Sequence, residues 1–298
     1  MVDITLRQAL DEYKEIYMAS RNFAERTRVE YFNDLEDLIQ FLEKLDLKVV
    51  RDIELPQLER YLAELDRRGL AGTTRKRKVV SIRSFLSFLY HDEYMSTNLA
   101  SRIIPPFAEA KSPRYLTKSE YERLLEAASH DPRDYALIQL LLQTGIKLSE
   151  LARLTVNNVV LPSAVSLEAT EVGYLQISGS KSKKGRTVPL NSKASISLVD
   201  YFKGRKVTPD SPLFTNRFGE NLSPRGAEKI VNKYMHRAGI RDASVQSLRH
   251  TFGIQHILSG AKLKVIQEVM GYRDSRTISV YFYLVKDTIG KEMQDHTL

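Results

Sequence analysis

The sequence predicts a two-domain, mainly α chain, with an all-helical first unit and a mixed α+β second unit built around a small antiparallel sheet. Three observations carry this. Residues 27–89 repeat apolar side chains at spacings of three and four, the period of a helix face. Two short β-rich segments, Gly173–Ser178 and Arg186–Leu190, flank a basic loop that joins them as a hairpin. Between these regions the Ser/Pro-bearing stretch 108–114 reads as a linker, dividing a unit over 1–107 from one over 115–298 that ends in a tail at 286–298. At 298 residues, each part is long enough to bury a core of its own.

In the first unit, Thr27–Leu45 sets Val29, Tyr31, Phe32, Leu35, Leu38, Ile39, Leu42 and Leu45 on a helical stripe. Leu55–Leu65 continues the pattern, with Pro56 placed in the first turn, where its missing N–H does no harm. Gly69 and Gly72 mark a turn, after which Thr73 or Thr74 opens a helix with a basic start and an apolar continuation through Val79, Ile82, Phe85, Leu86 and Leu89. Its basic beginning, Arg75, Lys76, Arg77 and Lys78, is expected to project toward phosphates. In the second unit, Thr117 and Glu120 form a Thr-x-x-Glu capping box. Asp131–Thr144 is a largely apolar helix closed by Gly145. Helices are expected again over 223–238, 247–258 and 264–270, with Gly260 and Gly271 ending the last two.

The chain carries a formal charge of +8, with no cysteine and therefore no disulfide or thiolate metal site. The charge is unevenly spread. Residues 1–110 hold 17 Lys+Arg against 19 Asp+Glu, the remainder 28 against 18, so the basic excess lies in the second unit and points to a polyanionic partner. The start, 1–13, lacks the apolar stretch of a signal peptide, and the apolar run 135–142 is too short to span a bilayer, so a cytoplasmic protein is expected.

Three separated segments carry chemistry: Thr144–Leu151 (TGIKLSEL), Ser180–Leu190 (SKSKKGRTVPL), and the stretch from Gln246 (QSLRHTF) through Gly271-Tyr272 to Thr277–Tyr281 (TISVY). Together and in this order they resemble the catalytic domain of the tyrosine recombinases, the phage integrase family, including its Xer-like site-specific recombinases. The helical first unit is similar to that family's SAM-like core-binding domain. The resemblance implies a DNA-cleaving and rejoining enzyme that works through a 3′-phosphotyrosine intermediate in integration, excision or resolution. It implies no cofactor and no metal, with double-stranded DNA and a homotetramer on two DNA sites as partners. The physical logic agrees. A tyrosine hydroxyl can attack phosphorus and conserve the bond energy. Fixed cations can hold the charge that develops on the phosphate oxygens.

On this resemblance Tyr281 is the nucleophile, Arg249 the bidentate phosphate ligand and Lys181 the donor of a proton to the leaving 5′-oxygen. Lys183, Lys184 and Arg186 are read as phosphate contacts of the hairpin loop, and Tyr283 as packing. Three positions depart from the family pattern. Lys147 stands where an arginine belongs, keeping the charge but losing the planar fork. Gln246 replaces a histidine and cannot trade a proton near pH 7. Tyr272 replaces a histidine or tryptophan but still donates a hydrogen bond. Glu150 keeps the family's acidic position and is expected to buttress Lys147, while His250 is read as a structural histidine supporting the site. These departures keep a second reading open: a weakened or inactive recombinase-like DNA-binding regulator.

Overall fold

A computed structural model of the chain describes residues 3–107, 112–163, 165–166, 171–179, 185–274 and 277–286. Contacts divide it into two compact units, Met1–Lys111 and Ser112–Leu298.

The first unit is all helical. Thr5 caps α1 (Leu6–Glu12), exchanging hydrogen bonds with Gln8, and the helix runs on through a π turn (Tyr13–Tyr17) into the short α2 (Met18–Ser20). The long α3 (Glu25–Glu43) follows, then α4 (Leu55–Arg67) with Pro56 in its first turn, and α5 (Gly72–His91). The stripes meet in one core of Tyr13, Leu35, Leu38, Ile39, Leu42, Tyr61, Leu65, Ile82, Phe85 and Leu89. Val29, at the start of the α3 stripe, stays outside at 50% exposed.

The basic start of α5 differs from the expectation. Lys78 is buried, its Nζ 2.8 Å from Asp37 and 3.3 Å from the buried Asp34. Arg77 pairs with Asp34 and lies 3.4 Å from Glu30, and Arg75 pairs with Asp66. Lys78 is thus an internal cation, not a phosphate contact. It sits one turn before Ile82 on the apolar stripe, and α3 supplies the carboxylates that allow a charge there. Lys76 and Arg77 are the exposed members of the four, Arg77 while paired with Asp34. Burial pushes the Asp37 carboxyl up, but hydrogen bonds from Lys78, Arg68 and Tyr61 outweigh it and hold it below the usual carboxylate range.

The second unit wraps α7 (Pro132–Thr144), whose residues Ala136–Leu142 are all buried. Asp131 caps it, accepting from Asp134 N at 3.0 Å, and Gly145 closes it at φ 59°. Before it, α6 (Lys118–Ala128) starts on the reciprocal Thr117–Glu120 capping pair. After it come α8 (Leu148–Leu151) and the strands β1 (Val159–Val160), β2 (Gly173–Ile177) and β3 (Arg186–Leu190), paired antiparallel in that order, with Leu175 opposite Val188. Helices follow: α9 (Ser192–Phe202), α10 (Pro224–Arg237), α11 (Val245–Leu258), α12 (Leu263–Met270) and α13 over 277–286. A separate small core of Phe252, Ile254, Ile266, Met270, Ile278, Tyr281 and Val285 joins α11, α12 and α13. Among the described residues no helix is long and apolar enough to cross a membrane.

Lys78→Ala is expected to destabilise the first unit by about 3–5 kcal/mol, because it leaves Asp34 and Asp37 facing each other without their shared cation. Urea unfolding checks this; a loss under about 1 kcal/mol would mean that the carboxylates reach water without Lys78.

Candidate active site

Arg249 organises the site. It lies in the second turn of α11 and is 2% exposed, so its guanidinium must find partners inside the protein. Nη1 donates to the carbonyl of Gly145, at the end of α7, and Nη2 to that of Met270, at the end of α12, at 2.6 Å. Nε donates to the Tyr272 hydroxyl at 3.3 Å, and the guanidinium lies 4.6 Å over the Tyr272 ring. Both carbonyls belong to helix C-terminal turns, where they have no partner within the helix and carry the negative end of the dipole.

Tyr281 is joined to this fork. Its hydroxyl lies 2.9 Å from the Tyr272 hydroxyl and 2.7 Å from Nδ1 of His250. The ring packs in the small core at 1% exposed, close to the backbone of α11: a Cβ on Gly253 would stand 2.8 Å from Tyr281 Cε2. Burial raises the Tyr281 pKa well above its ordinary value, while the Arg249 charge opposes the rise. Burial, then the Arg249 charge, lower that of His250 to about 4.

A second cluster braces the turn before α8. Glu150 accepts from the backbone N of Lys147 at 2.9 Å and takes the guanidinium of Arg186 on both oxygens, at 2.8 and 2.9 Å. Arg186 also donates Nε to the Val269 carbonyl at 2.6 Å, and its guanidinium fills the space over Gly271. Burial pushes the Glu150 carboxyl up, yet Arg186 and the Lys147 amide hold it below the usual range. Arg186 is therefore a strut between α8, β3 and α12, and the reading of it as a phosphate contact is corrected. The alternation of β3 carries the signal. Arg186 shares a face with the buried Val188 and Leu190, which turns its side chain toward the interior. Glu150 supports Lys147 through the backbone amide.

The structure thus brings together Arg249, Tyr272 and Tyr281. Lys147 lies two residues beyond the carbonyl that Arg249 grips and is half-buried, while Gln246 is exposed in the first turn of α11, one turn before Arg249 and His250. Lys181, Lys183 and Lys184 lie outside the described residues, as do 108–111 of the linker and 287–298 of the tail. Two further residues escaped the sequence reading. Gly253 gives the Tyr281 ring its room. Thr251 ties the entry segment to α11, accepting from Leu116 N at 2.8 Å and donating to the Ser247 carbonyl at 2.7 Å. A glycine inside the apolar face of a helix is the readable sign for the first; the second has no local sign.

A helical unit is thus followed by a mixed unit in which a buried arginine is wired, through Tyr272, to the Tyr281 hydroxyl. Comparison gives the family. Residues 114–287 match the phage integrase family and residues 10–93 its N-terminal SAM-like domain. The chain belongs to the phage integrase family, the tyrosine recombinases. It is 29% identical over 297 residues to a tyrosine recombinase of Pseudothermotoga lettingae, covering 97% of this chain and all of that one. Among solved structures, the XerH site-specific recombinase bound to palindromic difH substrate in a post-cleavage complex matches with a TM-score of 0.75, at 20% identity over 96% of this chain and 84% of the other. A lambda integrase tetramer bound to a Holliday junction matches at 0.72, at 16% identity over 90% and 78%.

Gly253→Ala is expected to push the Tyr281 ring off α11 and move its hydroxyl away from Tyr272, slowing strand cleavage about tenfold or more while DNA binding holds. Single-turnover cleavage beside a binding titration measures both. Equal rates would show that the ring shifts without moving the hydroxyl.

Proposed function

We propose that this chain is a site-specific recombinase that cleaves and rejoins double-stranded DNA in the cytoplasm. Tyr281 attacks the scissile phosphorus and forms a 3′-phosphotyrosine link, and the reverse attack of a 5′-hydroxyl rejoins a strand. The observation that carries the proposal is the chain of bonds from Arg249 through Tyr272 to the Tyr281 hydroxyl. The Tyr281 hydroxyl lies one group away from a fixed guanidinium, which supports reading it as the nucleophile. A phosphate oxygen taking the place of the Tyr272 hydroxyl would meet Arg249 and Tyr281 together. Lys147 supplies a second cation without a fork, Tyr272 and Gln246 donate hydrogen bonds, and Lys181 protonates the leaving 5′-oxygen. Lys76, Lys183 and Lys184 contact phosphates, with Arg75 and Arg77 joining them only by sharing their carboxylate partners. The working assembly is a homotetramer on two DNA sites.

One observation favours the regulator reading. The Tyr281 hydroxyl is held beneath the surface and strongly protonated in this state. The two readings separate on one assay. The full chain is incubated with a duplex selected by it from a random-sequence pool, then denatured and examined for covalently attached DNA. An adduct that Tyr281→Phe abolishes is expected. Tight, specific binding without any adduct would make the chain a DNA-binding regulator.

A further inference from the structure

The Tyr281 hydroxyl has two partners, and the mechanism above uses only one of them. His250 Nδ1 lies 2.7 Å from Tyr281 Oη, and the two rings meet edge to face at 5.5 Å. On its other contact the hydroxyl meets Tyr272 at 2.9 Å, which accepts from Arg249 Nε at 3.3 Å. Each hydroxyl has one proton to give. With the Arg249 cation at the head of the chain, the favoured arrangement points every proton away from it: Tyr272 donates to Tyr281, and Tyr281 donates to His250. That requires a neutral imidazole protonated on Nε2, with the lone pair of Nδ1 facing the tyrosine. Burial and the Arg249 charge keep His250 neutral at pH 7.

We propose that His250 is the proton acceptor of the nucleophile, taking the Tyr281 hydroxyl proton on Nδ1 as the tyrosine oxygen bonds to phosphorus. The inference rests on the reading of Tyr281 as nucleophile. The step balances. The Tyr281 O–H bond breaks, the O–P bond forms and the bond from phosphorus to the 5′-oxygen breaks. The imidazole gains one proton and the leaving 5′-oxygen takes one from Lys181, in the role that the resemblance gives it. Rejoining returns both protons to where they began.

Two features support this role. Gln246, four residues earlier on the same helical face, is exposed and carries no titratable proton, so the face supplies its imidazole one turn deeper, at His250. Burial and then the Arg249 charge weaken His250 as a base, and the second of these is the one that a docked phosphate would neutralise. A phosphate oxygen that displaces the Tyr272 hydroxyl leaves the His250 contact in place and relieves the repulsion on the imidazolium. The base strengthens when the substrate is seated, and the hydroxyl stays protonated when it is not.

The test uses the full chain and the selected duplex, made once with an ordinary phosphodiester and once with a 5′-bridging phosphorothiolate at the mapped cleavage position. Sulfur leaves without a proton, so a lost acid is rescued by the sulfur substrate and a lost base is not. His250→Asn keeps an acceptor near Nδ1 and His250→Gln one near Nε2, neither of them basic; the variant that binds the duplex like the unmodified chain is the one read. It is expected to form the Tyr281 adduct about a hundredfold or more slowly on both substrates, whereas Lys181→Ala recovers on sulfur. Adduct formation within about threefold of normal overturns the proposal and leaves His250 a positioning contact that an amide can replace. A defect relieved by sulfur overturns it by moving His250 to the leaving-group side. If neither variant binds DNA, His250 is structural and the proposal falls. If the unmodified chain forms no adduct on either duplex, the recombinase reading fails first and takes this inference with it.

Discussion

The second unit depends on one buried cation. Taking a guanidinium out of water costs several kcal/mol unless every donor is met, so the Arg249 fork dictates what must stand around it. It draws the carbonyls of Gly145 and Met270 to itself, and with them the ends of α7 and α12. Lys147 follows Gly145 by two residues and Tyr272 follows Met270 by two. Pinning those two carbonyls therefore also sets where the other candidate groups emerge. A helix that closes on a left-handed glycine exposes such carbonyls, which is what Gly145 at φ 59° and Gly271 at φ 67° do.

Tyr281 answers to two demands. It belongs to the small core of α11, α12 and α13, and its hydroxyl belongs to the polar chain that runs back to Arg249. Packing fixes the ring, so the oxygen is aimed without strain on its own hydrogen bonds. The same burial holds the proton on the hydroxyl. The Arg186–Glu150 strut does for Lys147 what the core does for Tyr281, locking the turn before α8 against β3 and α12.

Much of this was legible in the sequence because it is local. The Thr117–Glu120 box, the Asp131 cap, Gly145 and the β2–β3 alternation each declare themselves within a few residues. The motif segments also brought Arg249, Tyr272 and Tyr281 to one place. What the sequence hid are pairings made across distance. Lys78 looks like one of four outward cations until Asp34 and Asp37 arrive from another helix. Arg186 looks like part of a basic loop until Glu150 claims both its terminal nitrogens. In both cases periodicity held a clue, since Lys78 falls on an apolar helical stripe and Arg186 on the inward face of its strand. Charge composition outvoted it. The contact of His250 with Tyr281 spans 31 residues and had no local signature at all.

The central claim is that Arg249 holds two chain segments in place, and amide hydrogen exchange on Arg249→Lys tests it directly. Lysine keeps the charge but cannot reach two carbonyls and a hydroxyl at once. Exchange is expected to quicken in both 145–148 and 270–273, segments that are far apart in sequence, while the helices of the first unit keep their rates. Unchanged exchange in both segments would contradict the account.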